Sequence, residues 1–424
     1  VDNTVQLLNN SIRLCRMYDK EKDLGRVYRN IGLAEFREWA GGKANFSNMP
    51  SYDNFKKAAS IAKIYNDSWG YKTAIGNIMS SFTNERDSET SKDSVHYYAN
   101  LLLTYAAENN NLVVEEFTQR KLGSFYLYSD NHRNKKKAQY YYNKSYELIE
   151  NQSIETQINI YGALNKSLDN VYEKINNENK RINLSENIQS TFDLVWSFIN
   201  LAQLYSYPAT NFDEAYNAYN KASSYKSMLH DFRSEEIRIN IGWGDIYLFK
   251  GDYNNALTFY KSAESIGLLS DWYNYERYAK IARVYHYLED FTNAKIYFSK
   301  TMDYIKYSSV IPDDISSYTL YLLNELKLGL ISSSIEEFNN PFDQIIKDKE
   351  KITINQLAHY LLSIDLNELE GLVIDQELFL IYYNLYEIYT LENNSIISNQ
   401  LIDRAYNEIL DQASKLHKND RERF

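Results

Sequence analysis

Between short polar breaks, apolar residues along most of the chain recur at spacings of three and four, the mark of helices that each bury one stripe. These segments come in pairs. The clearest pair runs Ile239-Asn240-Ile241-Gly242-Trp243-Gly244-Asp245-Ile246-Tyr247, turns at Lys250-Gly251-Asp252-Tyr253, and continues through Ala256, Tyr260 and Ala263. A second copy follows in Tyr278, Ile281, Ala282 and Tyr285, the turn Glu289-Asp290-Phe291, then Ala294, Phe298 and Thr301. A third lies upstream in Phe198, Leu201, Ala202 and Tyr205, the turn Asn211-Phe212-Asp213, then Ala215, Tyr219 and Ala222. Small residues at fixed places let paired helices cross closely, while the aromatics fill the space beside each crossing. Ala215, Ala256 and Ala294 recur at about every fortieth position, a period that predicts a helical solenoid.

The breaks carry helix-boundary chemistry. Pro50, Pro208 and Pro312 fall between periodic stretches, and Asn340-Pro341 couples a capping residue to a proline at the first helical position. Thr353-Ile354-Asn355-Gln356 has the spacing of a capping box and predicts another start. Two segments, 155 to 190 and 306 to 375, lack the small-residue signature. In the first, Ile158 to Ile175 reads as one long helix followed by the polar stretch Asn176 to Lys180; in the second, helical runs cover Tyr318 to Leu330 and Ile354 to Ile364. Both are expected to continue the stack as divergent pairs, with a hinge as the lesser reading. The resulting division is 1–150, 151–190, 191–305 and 306–424.

Composition sharpens this picture. With 14 Gly and 4 Pro in 424 residues, turn formers are at about a third of their usual share, which argues against sandwiches, barrels and propellers. Forty tyrosines against 18 phenylalanines and 5 tryptophans imply a core built from rings whose hydroxyls must stay wet or find partners.

The three clear units resemble tetratricopeptide repeats, matching the family's order of large, Leu-Gly, Tyr, then Ala, Tyr or Phe, Ala almost position for position between Asn240 and Ala263. Weaker copies are Leu122-Gly123, Tyr126, Ala138, Tyr142 and Ser145; Ile31-Gly32, Phe36, Phe55 and Ala58; and Tyr382, Leu385, Tyr389, Ser398, Ile402 and Ala405. The resemblance implies an all-α fold, a right-handed α-solenoid of antiparallel helix pairs, with roughly ten to eleven hairpins at this period.

It also implies where a ligand would lie: along the first helix of each pair, on the side facing away from the packing residues. On the well-matched units this gives Trp196, Ile199, Gln203 and Ser206; Arg238, Ile241, Asp245 and Leu248; and Glu276, Ala279, Arg283 and His286. The upstream unit adds Phe117, Arg120, Ser124 and Leu127. An apolar strip flanked by charges of both signs suits a peptide or protein partner held by anchors and polar contacts. Ile199, Ile241 and Ala279 stand where the family's chaperone-binding members place cations, so chaperone-tail binding is not expected. The function expected is that of a peptide-binding scaffold or sensing module, and the alternative is the regulatory arm of a larger sensor kinase or protease.

Catalysis is not expected. The six histidines are scattered without a His-x-x-x-His pair, and the densest candidate, His230-Asp231 with Glu235 and Glu236, reads more simply as a polar turn before a helix. Gly242-Trp243-Gly244 lacks the strand and third glycine of a dinucleotide site. The run Lys135 to Lys137 reads as a solvated loop, and Cys15 as a small buried hydrophobe that cannot form an internal disulfide. No metal or cofactor is implied. A net charge of −11 repels a phosphate backbone and makes nucleic acid a poor partner. A mean hydropathy of −0.55 argues against membrane insertion. The chain starts at Val1, which fits a processed or truncated N terminus and leaves the compartment open, cytoplasm being favoured over export.

Overall fold

The computed structural model describes residues 2–38, 50–83, 88–129, 132, 134–267, 271–305, 312–329, 378–391 and 395–421. Among them every regular element is helical. The helices fall into two compact units, Val1–Ser167 and Leu168–Phe424.

Unit 1 contains α1 (Asp2–Met17), α2 (Glu21–Glu38), α3 (Pro50–Ile64), α4 (Ser68–Thr83), α5 (Ser88–Glu108), α6 (Leu112–Tyr128), α7 (Lys135–Glu147) and α8 (Ile154–Asn165). Unit 2 contains α9 (Val171–Asn187), α10 (Thr191–Ser206), α11 (Phe212–Ser224), α12 (Arg233–Phe249), α13 (Tyr253–Ser265), α14 (Asp271–Tyr287), α15 (Phe291–Ile305) and α16 (Pro312–Lys327). It ends with α17 (Leu378–Leu391), α18 (Ser395–Ser414) and the single turn α19 (Lys418–Arg421). Each helix packs chiefly on its sequence neighbours, and alternate helices such as α4 with α6, α10 with α12, and α14 with α16 also touch. This is the all-α stack of consecutive pairs that the forty-residue period predicts.

Local chemistry fixes the boundaries. Pro50 and Pro312 open α3 and α16, where a missing N–H costs nothing. Asn134, Ser190 and Asp252 cap α7, α10 and α13 by accepting from backbone N–H groups. Ala215, Ala256 and Ala294 are all 0% exposed, as close helix crossing requires. At the tightest crossings even a methyl group is too large: a Cβ on Gly123 would fall 2.6 Å from the Tyr142 ring, and one on Gly244 would fall 2.3 Å from that of Tyr260. The second helix of each of these pairs thus drives a tyrosine against a glycine of the first.

The stretch 155–190 differs from its expected form. One long helix is replaced by α8 and α9, and the polar run Asn176 to Lys180 lies inside α9. Asn170 causes the break, because its side chain accepts from the N–H groups of Tyr172 and Glu173 and starts a new helix. Cys15 is half-buried, not enclosed. Asn340-Pro341, the capping box at Thr353 and the run Ile354 to Ile364 lie outside the described residues, as does the side chain of Phe36.

The end of unit 2 returns to its start. Leu416 is buried with Val171 and Ala209. The Tyr172 hydroxyl donates to the Asp420 carboxylate and accepts from the His417 backbone N–H, and the Tyr207 hydroxyl donates to Gln412.

Candidate functional site

The side chains singled out on the first helices of unit 2 divide into two groups. Ile199 and Ile241 are closed to solvent within apolar clusters, Ile199 among Val195, Phe198 and Ala202. Leu248 packs half-buried on the cluster that contains Ile241. Ile199 and Ile241 are core and Leu248 is half-buried against it, so the expected apolar strip is not displayed as a continuous row of anchors. His286 is also core: it is buried, and its Nδ1 lies 3.2 Å from Asn324 Oδ1. Trp196 is half-buried beside Phe192, with an indole Nε1 that is shut off from water and has no hydrogen-bond partner. Gln203 is half-buried on the same helix.

The charged members come together. Arg238 on α12 pairs with Glu276 on α14 at 3.1 Å, and Asp245, two turns further along α12, pairs with Lys280, one turn further along α14, at 2.7 Å. Side-chain exposures of these four residues lie between 19% and 22%. Arg283, one turn beyond Lys280, donates to Ser316 on α16 at 3.3 Å. Three cations and two carboxylates therefore bridge α12, α14 and α16. Lys280 was not among the residues expected from the sequence; its signal is its place one turn after Glu276 on the same helix face.

Two tyrosines join this layer from beneath. Tyr260 of α13 is fully buried, lies against Gly244, and donates its hydroxyl to Asp245 at 2.6 Å. Tyr219 of α11 is likewise buried and lies against Gly242, where a Cβ would fall 2.0 Å from the phenol oxygen. The two glycines let ring edges from the second helices reach the polar face of α12. Burial pushes both phenols above their ordinary value, and the Asp245 charge adds to it. For Lys280 burial pulls the ammonium down, but Asp245 and Glu276 outweigh it and hold the group above its ordinary value. The face is a set of fixed charges with buried support, suited to orienting a polar ligand and poor in apolar anchors.

A second concavity lies on the other side of α12. Phe212, Asp213 and Tyr216 of α11, with Trp243, Tyr247 and Lys250, line a cavity of about 400 Å³. Trp243 stands two residues from Asp245, about 200° around the helix. Tyr247, expected from the repeat pattern as packing bulk, lines this cleft instead. Lys250 lies 5.2 Å from the Phe212 ring centroid, so the aromatic wall already holds a cation.

The His230 neighbourhood does not gather into a site. Asp231 turns to Arg233 at 2.8 Å, and Glu236 to Lys226 at 2.6 Å. Among the described residues no helix is long and apolar enough to cross a membrane.

No protein-family model and no curated protein matches the sequence. Solved structures do match the fold. The Rap conjugation gene regulator of plasmid pLS20, in complex with the Phr* peptide, aligns with a TM-score of 0.56 and 13% identity over 86% of this chain and 95% of its own. NprR in complex with its cognate peptide NprX gives 0.54 and 15% over 85% and 97%. A Rap protein complexed with Competence and Sporulation Factor gives 0.54 and 12% over 98% and 99%. The fold is thus tetratricopeptide-like, as the repeat pattern implies.

Proposed function

We propose that this protein is a non-enzymatic binding module that recognises a polypeptide along the first-helix face of unit 2. The observation that carries the reading is the ladder Arg238–Glu276, Asp245–Lys280 and Arg283–Ser316, which presents half-buried charges from two successive first helices, α12 and α14, and ends on the Ser316 hydroxyl of α16. An extended peptide offers backbone N–H and C=O groups and side-chain charges at matching intervals, so it can exchange contacts with such a ladder along its length. Three solved structures of this fold are complexes with a peptide or with Competence and Sporulation Factor, which supports the same ligand class. We assign the anchoring contacts to Arg283, at the α16 end of the ladder, and to Trp196 on α10, the first helix that precedes α12.

The test is affinity capture with the full chain, followed by mass spectrometry and titration of the captured polypeptides as synthetic peptides. Trp196→Ala and Arg283→Glu are each expected to weaken binding at least tenfold, the usual cost of an anchor. Unchanged affinity in both variants, with the wild-type helical content kept, removes this face as the binding surface.

A further inference from the structure

On α4 and α6 of unit 1, three cations gather round one aromatic ring. The Lys72 and Lys121 ammonium nitrogens lie 5.4 and 5.7 Å from the Phe117 ring centroid, and the Arg120 guanidinium carbon lies 5.7 Å from it. Gly76 makes room for the arrangement: a Cβ there would fall 2.5 Å from the Phe117 ring and 3.5 Å from Lys121 Cε. The carboxylate within the cluster is Glu116, which is buried and whose Oε1 already accepts from Arg120 Nε and from Ser145 Oγ, both at 2.8 Å.

The lysines are left short of negative charge. Lys121 Nζ donates to Ser80 Oγ at 2.8 Å and has no ion pair among the described residues. Lys72 has neither a hydrogen bond nor an ion pair there, and both lysines are half-buried. Burial pushes the Lys121 ammonium down to about 8, with Arg120 adding to the effect. Burial also lowers Lys72, against a partial offset from Glu116. Three cations against one carboxylate leave an excess of two positive charges where water screens poorly.

We propose that Lys72, Arg120 and Lys121 form a binding site for a phosphate dianion. A phosphoryl group carries about −1.5 to −2 charge at neutral pH and three acceptor oxygens, which matches both the excess charge and the three donor groups. A carboxylate would neutralise only one of the two. Arg120 bonds Glu116 through Nε, which leaves its terminal nitrogens for a forked contact with two phosphate oxygens. The fold has already removed much of the water from these cations, so an entering anion meets less desolvation cost than at an exposed lysine pair. Inorganic phosphate and a phosphorylated side chain share this chemistry. The site lies wholly in unit 1; Phe117 and Arg120 fall on the ligand face that the repeat resemblance implies there, but the site shares no residue with the peptide ladder proposed on unit 2, so the two proposals stand or fall separately.

The test is isothermal titration of the full chain with inorganic phosphate, O-phosphoserine and acetate at constant ionic strength, with ³¹P line broadening as a second readout. Saturable phosphate binding is expected, with acetate at least tenfold weaker. Lys72→Met and Lys121→Met are each expected to cost at least tenfold, the loss of one charge-assisted contact, while Lys121→Arg stays within about threefold. Methionine removes a half-buried charge and keeps an unbranched apolar chain, so Lys121→Met is expected to melt no lower than the wild type, and circular dichroism checks this. Tighter binding of O-phosphoserine upholds the site and assigns a side-chain source; tighter inorganic phosphate upholds it and assigns the free ion. Absence of saturable binding, acetate binding as well as phosphate, or unchanged phosphate affinity in both methionine variants overturns the proposal.

Discussion

Acidification is expected to destabilise unit 2 through His286. The ring is 5% exposed. Its Nδ1 lies 3.2 Å from Asn324 Oδ1, while the Asn324 amide nitrogen donates to the Phe291 carbonyl at 3.1 Å. That second bond turns Oδ1 toward the imidazole, so Nδ1 carries the proton and donates it. Phe291 meets the ring edge-on with centroids 5.3 Å apart. Burial is the main reason the imidazole is pushed down to about 4; Asn324 opposes it, Lys327 lowers it further and Glu387 raises it. An unfolded histidine binds its proton near 6.5. Between 6.5 and about 4 the unfolded chain therefore holds the extra proton, and stability falls as the pH falls through that window. At 1.36 kcal/mol per tenfold difference in proton affinity, the full effect is about 3 kcal/mol, a large part of the roughly 5–15 kcal/mol that holds a domain folded. Urea unfolding of the wild type and of His286→Gln at pH 7, 6, 5 and 4 reads the effect. The wild type is expected to lose about 3 kcal/mol more than the variant over that range. Parallel curves, or a His286 imidazole that titrates near 6.5 by NMR, would refute the reasoning.

The tyrosine-over-glycine crossings and the charge ladder give three further expectations. Gly244→Ala drives a methyl group into the Tyr260 ring and is expected to cost about 1–3 kcal/mol by overpacking; a loss below a few tenths in urea titration would mean that the ring moves aside freely. Asp245→Asn leaves Lys280 and the Tyr260 hydroxyl without their shared carboxylate; the expected loss is about 2–4 kcal/mol, much of it regained in Asp245→Asn with Lys280→Met. The same ladder predicts an alkaline limb. Lys280, Tyr219 and Tyr260 all hold their protons above ordinary values. Their contribution is complete below about pH 10 and is lost as the pH rises through the folded values; a flat stability between pH 9 and 11 would contradict it.

The helix pairs were legible because close crossing leaves a sharp residue code. Ala202, Gly244 and Ala282 could be read from size alone, as could the alanines that open the second helices. The ligand face was less legible, for a geometric reason. A first helix inside a stack touches its own partner and its neighbours on both sides, so its buried stripe is wider than that of a surface helix. Ile199 and Ile241 fall within that widened stripe, and so does His286, whose polarity is absorbed by Asn324 on α16. Lys72 and Lys121 illustrate another limit. A sequence places a lysine on a helix face but does not show whether a carboxylate on the adjacent helix reaches it.

The two polar faces set different terms for a ligand. On unit 2, Arg238 and Lys280 already have carboxylate partners, so an incoming charge must displace Glu276 or Asp245 and gains only the difference between two similar pairs. Such an exchange discriminates among sequences better than it generates affinity. On unit 1, Lys72 and Lys121 have no ion pair to give up among the described residues, and folding has already removed part of their hydration. An anion that reaches them gains most of its attraction as binding free energy. On the two proposals, the unmatched cations of unit 1 supply affinity and the matched ladder of unit 2 supplies selection.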